Sequence, residues 1–170
     1  MINKIDKLKS IISDYLQYKK SKLWTETQEV MGLVDSEVED VIDGFCNIVS
    51  FWALLVVVYD LKVNYKEFIS TLFKKKMIKP NGWISAGKDE IAELFDIELE
   101  LEYFESFADI IDPDRLEEEC FYQCKIKGHF FACVMYKGEV WGVDTMRRGL
   151  WFKLVDVIKP EKFEWLLLIG

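Results

Sequence analysis

An unbroken apolar segment at residues 46–61 constrains the fold of this chain more than any other feature of its sequence. The segment is apolar on every helical face, and at about 15 residues it is longer than a usual strand. It is therefore predicted to form a helix buried in the core, although the consecutive β-branched valines at 56–58 weaken this prediction slightly. A helix of this kind must be enclosed by other elements, so the rest of the chain is expected to pack around it.

Helical periodicity dominates the first half of the chain. Apolar residues recur on one face of the N-terminal segment, with lysine and aspartate on the other. Ser36 followed by Glu39 is a capping-box pattern, and Asn64 is a predicted N-cap for the helix after the apolar segment. Helices are predicted at residues 3–20, around 26–31 and 36–42, at 46–61, at 65–77 and at 89–95.

The hydrophobic period changes from 3.6 to 2 in the second half, where residues 97–103 alternate strictly between apolar and glutamate side chains. Strands are predicted at residues 97–103, 120–126, 129–136, 139–144, 150–155 and 163–169. Helices followed by strands indicate an α+β protein with an antiparallel sheet packed against the buried helix. A length of 170 residues suits one domain, 1–170.

Charge and composition exclude several classes of partner. The net charge is −8, and the basic residues occur only in short runs. Nucleic acid and an anionic membrane are therefore not expected partners, because both require a basic surface. Residues 1–20 are charged throughout, unlike a signal peptide, and residues 44–59 are too short to span a bilayer. We predict a cytoplasmic protein with reduced thiols, while the sequence indicates no particular oligomeric state.

The chain has one histidine and four cysteines, so only four cysteine–histidine pairs could form a nucleophilic site. A thiol nucleophile needs a base that also protonates the leaving group, and His129 is the available base. Cys46 is the favoured partner because it opens the buried helix, where unpaired N–H groups and the helix dipole favour a thiolate. The alternative, a small core cysteine at position 46, stays open, since free cysteine is commonly buried.

An acidic partner for His129 is suggested by a predicted hairpin. A two-residue loop at Lys137 and Gly138 would pair His129 with Met146 and place Asp144 diagonally across from His129 on the same face. An acid there would accept the ring N–H and select the histidine tautomer. A three-residue loop would instead put Asp144 on the other face.

The cysteines with His129, and the acidic segment 98–119, each offer an alternative as a metal site. Cys120, Cys124, His129 and Cys133 have a spacing close to that of a zinc knuckle. The spacing departs from the usual one at both ends, which favours core cysteines in strands, with Cys120 and Cys124 sharing one sheet face. The acidic segment 98–119 is either a solvated face or a site for a divalent cation, and the solvated face is favoured.

Two stretches carry a family resemblance. These are GFCNIVSFWALL at 44–55, where a cysteine opens the central helix, and GHFFACVMYKGEVWGVD at 128–144. They resemble the papain-like cysteine peptidase superfamily, in particular bacteriocin-leader peptidases, cell-wall amidases and small uncharacterised bacterial and phage proteins of that fold. The resemblance covers residues 36–156 and implies a papain-like core there, with residues 1–35 as an N-terminal helical extension.

The resemblance also implies roles for individual residues. Cys46 corresponds to the nucleophile, His129 to the general base and acid, and Asp144 to the acid that orients the histidine. No metal and no organic cofactor is implied. The expected partner is a peptide or protein, bound either as a substrate or as a binding partner.

The chain departs from the family at the oxyanion hole, where the family uses the nucleophile's backbone N–H and an upstream side chain, often glutamine. Here Asp40 and Asp43 occupy the positions six and three before the cysteine. Ionised aspartate is a poor donor, and loss of a donor costs about 10²–10³ in rate. The auxiliary candidates are Gln28, Asp43 and Asn47.

Trp83, in the NGWI segment, and Trp141 are candidates to line a pocket, although each is also a typical core residue. The expected function is a papain-like thiol hydrolase that cleaves a peptide or amide bond through an acyl-cysteine, or an acyltransferase with the same residues. The alternative is a catalytically inactive papain-fold binding module, which the missing donor and the acidic surface favour. A small zinc-binding module is a third hypothesis.

Overall fold

The computed structural model describes residues 2–144 and 150–170. The first half is helical, and the strands follow it, as the α+β prediction requires. The helices are α1 (Ile2–Ser21), α2 (Leu23–Met31), α3 (Asp35–Asp43), α4 (Cys46–Tyr59), α5 (Tyr65–Lys74), α6 (Lys88–Glu93), α7 (Ala108–Ile111) and α8 (Leu154–Val157). The strands are β1 (Tyr103–Phe104), β2 (Phe121–Ile126), β3 (His129–Tyr136), β4 (Glu139–Val143), β5 (Phe152–Lys153) and β6 (Phe163–Leu168), with a 3₁₀ turn at Pro160–Lys162.

The central helix α4 is the buried helix that the apolar segment predicts. Most of its side chains are buried, and it packs against β3 of the sheet and against α1. The helix ends at Tyr59 because Asp60 adopts a left-handed conformation with φ 56°. Burial of an all-apolar helix supplies the main hydrophobic contribution to this core.

The helices around α4 lie close to their predicted positions, but the predicted Ser36–Glu39 capping box is wrong, because Val34 precedes α3 and its N–H donates to Glu37 Oε1. Helix α1 buries Ile5, Leu8 and Ile12, which lie on its apolar face. Helix α5 begins as predicted, since the Asn64 side chain accepts a hydrogen bond of 2.9 Å from the Glu67 backbone N–H. It ends at Lys74, three residues before the predicted end at 77.

Among the described residues, six strands form one antiparallel sheet in the order β1-β6-β2-β3-β4-β5. One face of the sheet, with Phe121, Ala132 and Val134, packs on the core that contains α4. The opposite face forms a second core with residues of α7, α8 and their connecting segments. The sheet therefore separates two hydrophobic cores.

The β3–β4 hairpin has the predicted two-residue loop. Lys137 and Gly138 have positive φ values of 51° and 78°, as a type I′ turn requires, and Tyr136 pairs with Glu139. This register places Asp144 directly after β4 and close to His129. The predicted partner of His129, Met146, lies outside the described residues.

Two predicted strands are largely wrong. Of residues 97–103, only Tyr103 is in a strand, because β1 pairs with β6 only at Tyr103 and Phe104. The alternation there instead buries Ile97 and Leu99 from an irregular segment, and Leu101 is exposed. The alternating pattern therefore marked burial at Ile97 and Leu99 only, and no neighbouring strand was available to form a ladder before Tyr103.

The predicted strand 150–155 shortens to Phe152–Lys153, after which the chain turns into α8 at Leu154. Its pairing with β4 depends on Gly142, because the Phe152 ring occupies the space of a side chain there, 2.3 Å from an ideal Cβ. The other strands match their predictions within one residue. In the described ranges no single helix is long and apolar enough to span a bilayer; α3 and α4 pass that test only together and are bent by 57°.

Candidate active site

Cys46 is the first residue of α4 and is half-buried. The first N–H groups of a helix have no acceptor within the helix, so the backbone N–H of Cys46 is available to a ligand. The turn before it is tightly packed, since a Cβ on Gly44 would lie 2.5 Å from the Asn81 carbonyl oxygen and 3.0 Å from the Trp83 ring. These contacts hold the start of α4 against the loop that carries Trp83.

His129 begins β3 and lies between Cys46 and Asp144. Its Nε2 is 2.8 Å from Asp144 Oδ1, and both side chains are buried. A carboxylate accepts hydrogen bonds, so Nε2 carries the proton in this pair and Nδ1 remains for other partners. The ring also interacts electrostatically with the Cys46 thiol, and the two residues line the same cavity. The structure therefore brings together the three residues of the expected triad.

The electrostatics of His129 favour its protonated form. Burial lowers the pKa of the ring, but hydrogen bonds and charge interactions with Asp144 and Cys46 outweigh burial and raise this pKa from 6.5 to about 9. An imidazolium between a carboxylate and a thiol stabilises the thiolate, which is the nucleophilic form of cysteine. At neutral pH His129 is therefore protonated, and its positive charge lies beside the Cys46 thiol.

Two cavities meet at Cys46 and Gly128. The first has a volume of about 310 Å³ and is lined by Trp83, Phe130 and Asn47 among others. The second has a volume of about 260 Å³ and lies beneath residues of α1 and α3. The thiol is thus reachable from two sides, as a nucleophile that attacks within an extended chain requires.

The three auxiliary candidates lie in different places. Gln28 is on α2, where its Nε2 donates a 2.6 Å hydrogen bond to Asp35, and it does not line either cavity at Cys46. Asp43 is exposed and lines both cavities. Asn47 lines the first cavity beside Cys46. Of these candidates, only Asn47 combines proximity to the thiol with a side-chain N–H.

The two tryptophan candidates also separate. Trp83 is 61% exposed and lines the first cavity. Trp141 stacks on Trp151 with ring centroids 4.9 Å apart and does not line either cavity at Cys46. Trp83 is therefore placed to contact a ligand of the thiol, whereas Trp141 packs beneath α1.

Two buried polar residues near the site were missed from the sequence. Gln123 lies on β2 under the first turn of α4, and its Oε1 accepts a 2.6 Å hydrogen bond from Lys88 at the start of α6. The signal for Gln123 was a single amide within an otherwise apolar interior strand, where an unpaired polar group is costly. The sequence around Lys88 carried no comparable signal.

The zinc-knuckle alternative requires a tetrahedral set of ligands. Among residues 2–144 and 150–170, no group of three His, Cys, Asp or Glu side chains is arranged to hold a metal ion. Cys124 and Cys133 lie in the core on the face of the sheet opposite Gln123, while the His129 ring bonds Asp144. The carboxylates of the acidic segment 98–119, which lies within the described residues, likewise form no such group.

Comparison of the chain with protein-family models, with curated proteins and with solved structures gives no match. The geometry of Cys46, His129 and Asp144 is therefore the basis for a functional assignment.

Proposed function

We propose that the protein is a papain-like thiol hydrolase that cleaves a peptide or amide bond through an acyl-Cys46 intermediate. The observation that supports this most directly is the position of His129, which bonds Asp144 at 2.8 Å and lines the same cavity as Cys46, with whose thiol it interacts electrostatically. A nucleophile, a base and an orienting acid in one place are the signature of covalent acyl transfer.

The fold supports the proposal in a second way. The order of the three residues along the chain is that of the papain-like family. A cysteine begins a buried helix, a histidine begins a later strand, and an acid follows the next strand. The helix packs on an antiparallel sheet, as a papain-like core requires. On this proposal α1 and α2 form the N-terminal extension beside that core.

The proposed reaction proceeds in two steps. His129 takes the Cys46 proton, and the thiolate attacks the carbonyl carbon of the scissile bond. The C–N bond then breaks as His129 returns the proton to the leaving amine, which leaves a thioester on Cys46. In the second step His129 takes a proton from water, the resulting hydroxide attacks the thioester, and the carboxylic acid leaves as Cys46 regains its proton. An amine in place of water makes the same site an acyltransferase.

The proposed substrate is a peptide or protein segment. The two cavities lie on either side of the thiol, so residues before and after a scissile bond have separate places to bind. Trp83 and Phe130 offer aromatic surface in the first cavity, which suits an apolar side chain.

The first experiment compares Cys46 alkylation by iodoacetamide across pH in the native protein and in His129→Ala, with each cysteine followed by peptide mass mapping. An ordinary thiol is only about 1% thiolate at pH 6.5. We expect fast Cys46 labelling at pH 6.5 that falls about 100-fold in His129→Ala. Cys120 is the internal reference, since it is half-buried and burial, followed by Glu117, raises its thiol pKa.

A papain-fold binding module without catalysis is the second candidate. It is favoured by the Asp43 carboxylate, which lines both cavities where a family member carries a donor upstream of the nucleophile. Cys46 labelling that follows an ordinary thiol titration, with no response to His129→Ala, would establish this second function and exclude the hydrolase.

A further inference from the structure

A buried chain of hydrogen bonds runs from Lys88 to the first turn of α4. Lys88 Nζ donates to Gln123 Oε1 at 2.6 Å, and Gln123 Nε2 donates to Asn47 Oδ1 at 3.0 Å. Gln123 Nε2 also donates to the Asn47 carbonyl oxygen at 3.0 Å and to Ser50 Oγ at 2.8 Å. Ser50 Oγ in turn donates to the Cys46 carbonyl oxygen at 2.8 Å. The chain therefore ends on the nucleophile and on the residue that follows it.

Lys88 determines which way the side-chain amides of Gln123 and Asn47 face. A lysine ammonium only donates, so the oxygen of the Gln123 amide must face it and the NH₂ group must face α4. The Asn47 side chain then presents its oxygen to Gln123, because two NH₂ groups cannot bond each other. The same planar amide carries Nδ2 beside that oxygen, on a residue that lines the cavity at Cys46.

The position of Lys88 is costly, which indicates that its polar end has a function. The side chain is 7% exposed, and its Nζ lies 5.4–5.5 Å from the ring centroids of Phe51, Phe130 and Trp165. Burial, followed by the charge of Lys125, lowers the pKa of Lys88 to about 7. The ammonium and the neutral amine both donate to Gln123, so the chain keeps its direction in both forms.

We propose that Asn47 Nδ2 is the side-chain oxyanion donor of this site and that Lys88 and Gln123 are positioning residues that orient it. The inference rests on the proposed hydrolase function. It supplies the donor that the upstream positions lack, since Asp40 and Asp43 carry carboxylates there. Together with the Cys46 backbone N–H, the Asn47 amide gives two donors on consecutive residues next to the thiol.

Two probes separate the oxyanion from the thiolate. Iodoacetamide reacts by displacement of iodide and develops no oxyanion. In p-nitrophenyl acetate the thiolate attacks the carbonyl carbon, a tetrahedral oxyanion forms, and p-nitrophenolate leaves as the thioester is made. We expect Asn47→Ala to slow acylation about 100-fold while Cys46 alkylation changes less than about 2-fold.

The positioning residues are tested with Gln123→Leu and with the double variant Lys88→Met, Gln123→Leu. The double variant removes the buried lysine together with its acceptor, which avoids the cost of an unpaired buried ammonium, and urea unfolding of each variant checks that the fold is kept. We expect acylation to fall about 10-fold or more in both, with alkylation unchanged. Gln28→Leu is the matched control, since Gln28 bonds Asp35 away from the cavities, and acylation is expected at the native rate.

The outcomes are distinct. If Cys46 of the native protein is inert to both probes, the hydrolase proposal fails and this inference fails with it. If the native protein reacts with both probes and Asn47→Ala acylates at the native rate, the hydrolase proposal stands and Asn47 is not the donor. If Asn47→Ala is slow but the double variant is not, Asn47 is the donor and the positioning role of Lys88 and Gln123 is wrong.

Discussion

Cys46 and Cys133 lie on opposite sides of the sheet, and their surroundings differ in the properties that control thiol reactivity. Cys46 is half-buried, begins a helix, lines two cavities and interacts with His129. Cys133 is fully buried in the middle of β3 beside Cys124. Burial, followed by contact with Cys124, raises the pKa of the Cys133 thiol well above its usual range.

On the proposed function, place in the fold, and not residue type, distinguishes the nucleophilic Cys46 from Cys133, which packs in the core. A thiolate needs nearby positive charge and N–H donors, which the start of α4 and His129 supply. Cys133 lies in the second core with apolar side chains such as Met135 and Val140, and its neighbours Cys124 and Asp144 supply no positive charge. Identical substitutions at the two cysteines should therefore have opposite effects.

The largest expected effect is on acyl transfer. Cys46→Ser should reduce p-nitrophenyl acetate turnover by at least about 10³-fold, because a hydroxyl lacks the low pKa and nucleophilicity of a thiol. Cys133→Ser should keep the native rate, since the residue lies in the other core. The measurement is release of p-nitrophenolate at pH 7, and equal loss in both variants would contradict the distinction.

The second effect is on stability and has the reverse pattern. Cys133→Ser buries a hydroxyl among apolar side chains and should lower the free energy of unfolding by about 1–3 kcal/mol. Cys46→Ser, at a half-buried position, should change it by less than about 0.5 kcal/mol. Urea unfolding followed by tryptophan fluorescence gives both values, and a larger loss in Cys46→Ser would show that the α4 thiol is a core residue.

The third effect concerns the pKa of His129, which nuclear magnetic resonance reports without ambiguity because the chain has one histidine. Titration of its imidazole C2–H should give a pKa of about 9 in the native protein. Asp144→Asn removes the adjacent negative charge and should lower this pKa by about one unit or more. Cys120→Ser is the control, because Cys120 lies beside Glu117 and lines neither cavity at Cys46. A native pKa near 6.5 would refute the protonated His129 between Asp144 and Cys46.

The smallest effect is the pH dependence of stability. The folded pKa of His129 is raised from 6.5 to about 9, so its stabilising contribution is complete below 6.5 and is lost as pH rises toward 9. In Cys46→Ala, where no thiol titrates beside His129, Asp144 still raises the His129 pKa, and the free energy of unfolding should fall by on the order of 1 kcal/mol between pH 6.5 and 8. Asp144→Asn in the same background should flatten this slope, and a stability of Cys46→Ala that rises over the same range would contradict the assignment.

Local patterns predicted much of the fold. The apolar segment predicted α4 and its start at Cys46, and the Lys137–Gly138 loop predicted the register that brings Asp144 to His129. Local patterns predicted strands that are too long at 97–103 and at 150–155. In the first segment β-pairing begins only at Tyr103, and in the second it stops after Lys153. A strand exists only where a neighbour supplies hydrogen bonds, and that neighbour is distant in sequence.

Sequence alone thus determined that Cys46 begins a helix and that His129 and Asp144 lie in one hairpin, because helix starts and hairpin registers depend on neighbouring residues. Only the tertiary structure placed Lys88 under Gln123, 35 residues away, and Gln123 under Asn47, 76 residues away. Buried polar side chains must find partners wherever packing places them, and no local pattern encodes which partner that is. Tertiary packing places Cys46 and Cys133 on opposite sides of the sheet. It also connects the first turn of α4, through Gln123, to the buried Lys88.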